Sequence, residues 1–478
     1  MERRRVNVGL GSILGLVGLG LVFGACSGGK SAADAPELSG GGAADTMALG
    51  GGGATHTPAL GGGGAAVGGG GAATGSDAVS DVRSSKARVM PAASEAARAT
   101  SSEQAFAFSF LHALPGNENL TFSPHSLSTA FAMLSCAADG ETLQELQDAL
   151  QFGATDEAFH RAQSALNLAL AARNHEATDD VYGKADARIL TESNDLWIRQ
   201  DAKPADSFLD TLALYYGAGV HLADFKGHPE GVRKAINDKI ATVTHQLISD
   251  IIPTGVLNEN TVAVLTNALY FKAPWAKKFA PRQPGDFHRL DGSTSAADML
   301  NTRATLHYYE GNGFVSVAVP YWGGELSMQL VVPDAGAYEQ VREQLSSEGL
   351  RDMLAGQAFE DVDLTLPVFE LEYEAPAMKA FEQLGLARAF DPEKAEFPKL
   401  ESEMFKTVHI DAVAHKATVA IDEDGTEASA VTAITGSGGG SSGPPPEPKV
   451  VKADRPFLFL IRDNPTGSLL FVGQVVER

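Results

Sequence analysis

From Ser27 to about Thr100 the chain runs through blocks of glycine, Gly40 to Gly42, Gly50 to Gly53, Gly61 to Gly64 and Gly68 to Gly71, set among alanines. Almost no aromatic residue and no apolar periodicity occur there, so the tract cannot bury enough surface to offset the entropy of ordering its backbone. Any packed core must come from the residues beyond it. Residues 26–100 are therefore expected to form a flexible tether, and a glycine-rich coil of about 70 residues reaches roughly 45 Å. Much of the glycine total of 51 sits in this tract. The whole chain is still 44% apolar and 20% charged, which leaves enough for a sizeable core.

The tether is preceded by Arg3, Arg4 and Arg5 and an apolar run from about Val6 to Ala25, the layout of an export signal. The run closes as Leu21-Val22-Phe23-Gly24-Ala25-Cys26, which resembles a bacterial lipobox. Residues 1–25 are thus expected to be a lipoprotein signal peptide, with diacylglycerol on Cys26; an uncleaved signal anchor is the alternative. Ser27 after the cysteine supplies no Asp-type retention signal, so the expected location is the outer membrane, on its cell-surface or periplasmic side. The string Gly24 to Ser31 also fits G-x-x-x-x-G-K-S, but that phosphate loop needs a helix behind it, and only glycine and alanine follow. A net charge of −23 argues against nucleic acid as a partner. Two cysteines in 478 residues exclude a disulfide framework and a cysteine-rich zinc site.

After Ser101 the pattern changes to packed elements. Helices are expected over Glu103–Leu114, Leu127–Ala137 and Glu141–Leu150. Strands are expected over Val262–Phe271, Leu326–Val332, Val362–Leu371, Ala417–Ile421, Phe457–Ile461 and Leu469–Val476. Helices early and long strands late indicate an α+β fold with a large sheet, and one domain over 101–478.

Within that domain four stretches resemble the serpin family: Asn119-Leu120-Thr121-Phe122-Ser123-Pro124-His125-Ser126; Thr266 to Lys272 with Trp275; Pro320-Tyr321 with Leu326-Ser327-Met328; and Asp454 to Arg462 with Gly467 and Leu470-Phe471-Val472-Gly473. The resemblance implies three β-sheets with about nine helices and an exposed reactive loop, here about residues 423–449. It further implies that Ser123, Ser126, Asn267 and His415 form a hydrogen-bonded cluster under the main sheet, where that sheet opens, with Trp275 near its top.

The segment from Ala420 to Ala433 is similar to the hinge of inhibitory serpins at Glu423, Gly425, Thr426, Glu427, Ala428, Ser429 and Ala430. A segment that is to become a central strand must send every second side chain between sheet and helices. With Thr426 inward, the same face carries Ala428, Ala430, Thr432, Ile434 and Gly436, all small or apolar, and Gly425 is expected to act as the pivot. No proline interrupts before Pro444.

The resemblance implies suicide inhibition of a serine protease by loop cleavage and insertion, without catalytic residues or a cofactor. The alternative is a non-inhibitory serpin, a surface-tethered binding or chaperone module. Family spacing from Glu423 puts the cleaved residue near Gly439, whereas counting back from Pro456 gives Pro445. The candidate scissile region is therefore Thr435, Gly436, Ser437, Gly439, Ser441 and Ser442. These are small residues, so an elastase-like or subtilisin-like partner is expected, engaged by a monomer. Gly439 to Gly443 fits the G-x-S-x-G string of hydrolases, but Pro444-Pro445-Pro446 forbids the helix that string requires. Residues 156–172 have too few basic side chains for a glycosaminoglycan site, and Cys136 reads as a small buried hydrophobe.

Replacing Cys26→Ser should abolish lipid labelling and release the protein from membrane fractions. Unchanged labelling of the variant would refute the lipid anchor.

Overall fold

The computed structural model describes residues 78–180, 183–185, 187–401, 408–426 and 447–478. Apolar runs without alternation belong in strands covered on both faces, and such runs form the middle of two sheets. The first sheet has the order β1 (Val79–Val82), β6 (Val220–Ala223), β5 (Ile189–Arg199), β7 (Ala263–Pro274), β15 (Gly425–Thr426), β14 (Ala412–Ile421), β13 (Phe369–Glu374). The second runs β16 (Lys449–Lys452), β12 (Ala358–Pro367), β9 (Thr294–Glu310), β10 (Phe314–Pro320), β11 (Leu326–Pro333), β17 (Phe457–Asp463), β18 (Leu469–Val475), β2 (Leu120–Phe122), with β8 (Ala280–His288) against β9. A ribbon of β3 (Thr178–Asp180) and β4 (Gly183–Ala185) stands apart.

The long strand β9 serves two partners in turn. Residues 294–301 meet β8, and residues 307–310 meet β10. The second and third sheets expected from the sequence are therefore continuous through this strand.

Among the described residues there are nine α-helices. They are α1 (Ala97–Ala113), α2 (Pro124–Ser135), α3 (Gly140–Ala149), α4 (Glu157–Ala171), α5 (Asp206–Thr211), α6 (Pro229–Val243), α7 (Tyr338–Gln344), α8 (Ser347–Gly356) and α9 (Ala377–Gln383). Ser123 caps α2 by accepting the Ser126 N–H at 3.1 Å, and Pro124 starts the helix where no N–H is needed. Every residue of α2 is buried, because it is held against β5, β7 and β18. Phe106, Phe110 and Phe131 surround Phe381 nearby, with Phe122 packed on Phe110, and ring centroids 4.3–5.9 Å apart add contact energy beyond area burial.

Two expectations are corrected. Val362–Leu371 is not one strand: β12 ends at Pro367 in the second sheet, and β13 begins at Phe369 in the first. Pro367 has no N–H with which to extend a ladder, and the apolar positions shift from even to odd numbers there. Packed elements also lie upstream of the tether boundary set at residue 100. Val79–Val82 pairs antiparallel with β6, the Val89 N–H donates to the Leu214 carbonyl at 2.8 Å, and Arg161 donates twice to Glu95 at 2.8 Å. A four-residue edge strand carries too little periodicity to be read from sequence.

A chain starting at Ser101 should therefore melt several degrees below one starting at Ala78. In larger domains a loss of about 1 kcal/mol lowers the midpoint by roughly 2 °C. Equal midpoints would show that residues 78–100 contribute nothing to stability.

Candidate functional site

At the end of β14 the chain reverses in four residues. The Asp422 N–H donates to the Gly425 carbonyl at 3.0 Å, and the Asp422 carboxylate accepts the N–H groups of Asp424 at 2.8 Å and Gly425 at 3.0 Å. An aspartate that bonds the backbone two residues on fixes such a turn. β15 then lies between β7 and β14, with Thr426 opposite both Ala273 and Ile421. Thr426 is already buried, and its hydroxyl is 2.8 Å from that of Tyr321.

The corner is held from the β7 side. Trp275 donates its backbone N–H to Asp424 O at 2.9 Å and its indole N–H to Asp422 O at 3.0 Å. Phe279 N–H donates to Glu423 O at 3.0 Å, and Lys278 reaches the Asp424 carboxylate at 2.6 Å. Arg282 donates twice to the Glu423 carboxylate, at 2.8 and 2.5 Å, and these bonds hold that carboxyl down to about 2. Trp275 stacks on Tyr321 with centroids 4.4 Å apart, which walls off the seat of Thr426.

Below the corner the sheet is incompletely paired. β7 and β14 are parallel, and their ladder runs from Val264–Ala412 to Leu269–Ala417. It stops there, and pairing resumes only where β15 enters. Thr418, beside this interval, has a buried hydroxyl with no hydrogen-bond partner among the described residues. Burial along β14 alternates strictly, with Val413, His415, Ala417, Val419 and Ile421 inward.

The lower closure is a side-chain network. Ser123 N–H donates to His415 Nε2 at 3.1 Å, so the ring proton is on Nδ1 and is donated to Asn267 Oδ1 at 2.6 Å. Asn267 Nδ2 donates to Asn194 Oδ1, which also accepts the Ser126 hydroxyl at 3.4 Å, and Asn194 Nδ2 donates to Glu192. Glu192 and Glu103 then bracket His125, at 3.1 and 3.0 Å, and Glu103 accepts from Ser468 Oγ at 2.8 Å and Leu469 N–H at 2.6 Å. One chain of hydrogen bonds thus crosses β14, β7, β5, α2, α1 and β18. Its two histidines are shifted in opposite directions. His415 faces no carboxylate, and burial pushes it down to about 3, so it is neutral. Burial also disfavours charge on His125, but Glu192 and Glu103 outweigh it and hold the ring up to about 10.

Ser123, Ser126, Asn267 and His415, expected as one cluster, are brought together. Trp275 belongs to the separate upper corner, with Glu423, Gly425 and Thr426. Glu427, Ala428, Ser429 and Ala430, the scissile candidates Thr435, Gly436, Ser437, Gly439, Ser441 and Ser442, and Cys26 lie outside the described residues. Sequence reasoning missed Glu103, His125, Glu192, Asn194, Arg282 and Tyr321. Only the polar run Glu192-Ser193-Asn194-Asp195 before an apolar strand end could have signalled any of them. Among the described residues no group of three His, Cys, Asp or Glu is arranged to hold a metal ion.

The family model described as Serpin (serine protease inhibitor) matches residues 101–478. This chain belongs to the serpin family. It is 31% identical over 372 residues to human (Homo sapiens) antithrombin-III, which covers 76% of this chain and 77% of that one. It is 30% identical over 398 residues to leukocyte elastase inhibitor A of Rattus norvegicus, covering 79% and 98%. The crystal structure of the thermophilic serpin tengpin in its native state superposes with a TM-score of 0.68 at 26% identity, covering 82% of this chain and 96% of that one. The α+β serpin fold expected from the sequence is the fold observed.

In this serpin His415→Ala should leave Asn267 Oδ1 and Ser123 N–H unpaired, at about 1–3 kcal/mol each. The wild-type ring is neutral when folded and titrates near 6.5 when unfolded. Its share of stability is therefore present above pH 6.5 and lost as the pH falls towards about 3. Thermal midpoints should show a gap between wild type and variant that is widest above pH 7 and shrinks on acidification. A gap independent of pH would refute a neutral buried His415.

Proposed function

We propose that this serpin is a suicide-substrate inhibitor of a serine-type protease, held at a membrane surface by lipid on Cys26. The observation that carries this reading is the register of the partly seated hinge. Thr426 is opposite Ile421 on β14 and Ala273 on β7. Continuing that strand residue by residue brings Thr432 opposite His415 on one side and Asn267 on the other. Those two residues are already register partners in the parallel ladder, so both edges of the gap give the same alignment.

In that alignment Ala428, Ala430, Thr432 and Ile434 join the inward face, and Glu427, Ser429, Val431, Ala433 and Thr435 face outward. No charge is buried, and no proline interrupts the strand. The reaction begins as ordinary proteolysis: the protease serine oxygen bonds to a loop carbonyl carbon, the peptide C–N bond breaks, and the amine leaves with a proton. The freed N-terminal leg, esterified to the protease, continues β15 down between β7 and β14. Their axes must part from one strand spacing of about 4.8 Å to two. The His415–Asn267 contact must then open, and the Thr432 hydroxyl arrives between the two side chains. Likeness to antithrombin-III and to a leukocyte elastase inhibitor supports the inhibitory reading. The run of small residues at the scissile candidates supports an elastase-like or subtilisin-like target.

Thr426→Arg tests this. Arginine in the closed seat beside Tyr321 would bury an unpaired charge at several kcal/mol, so insertion should stall while the loop stays cleavable. Stoichiometry of inhibition against subtilisin or pancreatic elastase should be near one for wild type and many-fold higher for the variant. Equal inhibition by the variant, or simple digestion of wild type, would refute trapping by insertion.

A further inference from the structure

On the outward face of the second sheet Phe359 is 68% exposed, and its ring centroid lies 4.0 Å from that of His307, directly across the β12–β9 ladder. The Arg303–Asp361 ion pair, at 2.6 Å, adjoins it on the same face, and Val450 on the edge strand β16 is 62% exposed. A single exposed apolar residue needs no explanation. The position of this one does. β16 runs parallel to β12 with Lys449 opposite Val362, so the chain enters β16, through Glu447 and Pro448, beside the end of β12 that carries Phe359. That chain is the return leg of the reactive loop.

Ser442 lies five positions before Glu447, at most about 18 Å, and Gly439 eight positions before it, at most about 29 Å. A protease of about 230 residues has a radius of gyration of roughly 17 Å, so the Phe359 face is within reach of an enzyme engaged on either residue. The residues that lead to Glu447 come after the cleaved bond. In an engaged complex they would occupy the half of the enzyme's cleft that receives the leaving chain, and the rim of that half is the part of the enzyme nearest Phe359. Of the nearby charges, Arg303 pairs with Asp361, and Lys449 is 4.0 Å from Glu310. The ring itself offers an apolar, stacking contact, a form in which one aromatic anchor can dominate.

We infer that Phe359, supported by His307, is a docking contact for the target protease outside its cleft, and that it acts only before cleavage. Its occupant rests on the inhibitory reading above. Once the bond is cut, the enzyme leaves with the N-terminal leg, so the contact sets the rate of encounter and not the partition between trapping and release.

The test compares wild type, Phe359→Ala and, as a remote exposed control, Val256→Ala, with subtilisin and pancreatic elastase, after equal melting points establish folding. Phe359→Ala should slow complex formation about fivefold or more at unchanged stoichiometry, with little dependence on ionic strength, and Val256→Ala should change nothing. Equal rates for wild type and Phe359→Ala would overturn the inference. So would a normal rate with raised stoichiometry, which would mean that the ring serves the loop and not the enzyme. If both enzymes merely digest the wild type, the inhibitory reading fails on its own. The initial rate of loop cleavage then still reads the contact: slower cleavage of Phe359→Ala supports it, and equal cleavage overturns it.

Discussion

Two parallel strands, β7 and β14, share a ladder for only part of their length, and the arrangement of the rest of the molecule depends on that. Parallel neighbours cannot be joined by a short turn. A segment that reverses at the top of one of them can instead lie antiparallel to both. Asp422–Gly425 makes that reversal, and Thr426 is its first seated residue. The upper corner and the lower network close the two ends of an unfinished sheet, one through Trp275 and Arg282 and the other through His415 and Asn267. An added strand would exchange the lower closure for backbone hydrogen bonds along both of its edges. Each of these nets only about 1 kcal/mol, so the exchange is favourable because many form together.

The two buried histidines of that network are set in opposite protonation states, and their stability terms have opposite slopes. The contribution of His415 is lost as pH falls from about 6.5 towards 3, because an unfolded imidazole takes up a proton that the folded one refuses. The contribution of His125 is present below about 6.5 and lost as pH rises towards 10, because the folded ring keeps a proton that the unfolded one releases. The network is therefore strongest near neutral pH and weakens on both sides. Glu103 reaches from His125 to Ser468 and Leu469, so this dependence extends from the opening sheet to the far strands of the second one.

Much of this was legible in the sequence, and the parts that were not have physical causes. The inward face of the hinge follows from a period of two, and the alternating burial of β14 agrees with it. The capping of α2 follows from Ser123-Pro124 before an apolar run. The shift from even to odd apolar positions between Leu366 and Phe369 was visible, but its meaning, a crossing between sheets, depends on which partner each half finds. The partners of His125 come from positions 22 and 67 residues away, and no local pattern encodes such pairs. Arg282 and Tyr321 were missed for the same reason. Each meets the hinge only after some hundred residues of intervening chain have folded.

The loop's odd composition becomes intelligible once it is laid on this register. In the proposed insertion Thr435 meets Ala412, the first residue of β14, and Gly436 meets Ala263, the first residue of β7. The residues that favour strands, Val431, Thr432, Ile434 and Thr435, all precede that limit, and the Gly/Ser run begins where there is no more sheet to join. Counting from Glu423 and counting back from Pro456 disagree about the scissile bond, but every candidate from Gly436 to Ser442 leaves an N-terminal leg long enough to fill the gap. The constraint on this loop is therefore one of minimum length before the cut, and residues beyond Gly436 are free to suit the cleft of the enzyme that attacks them.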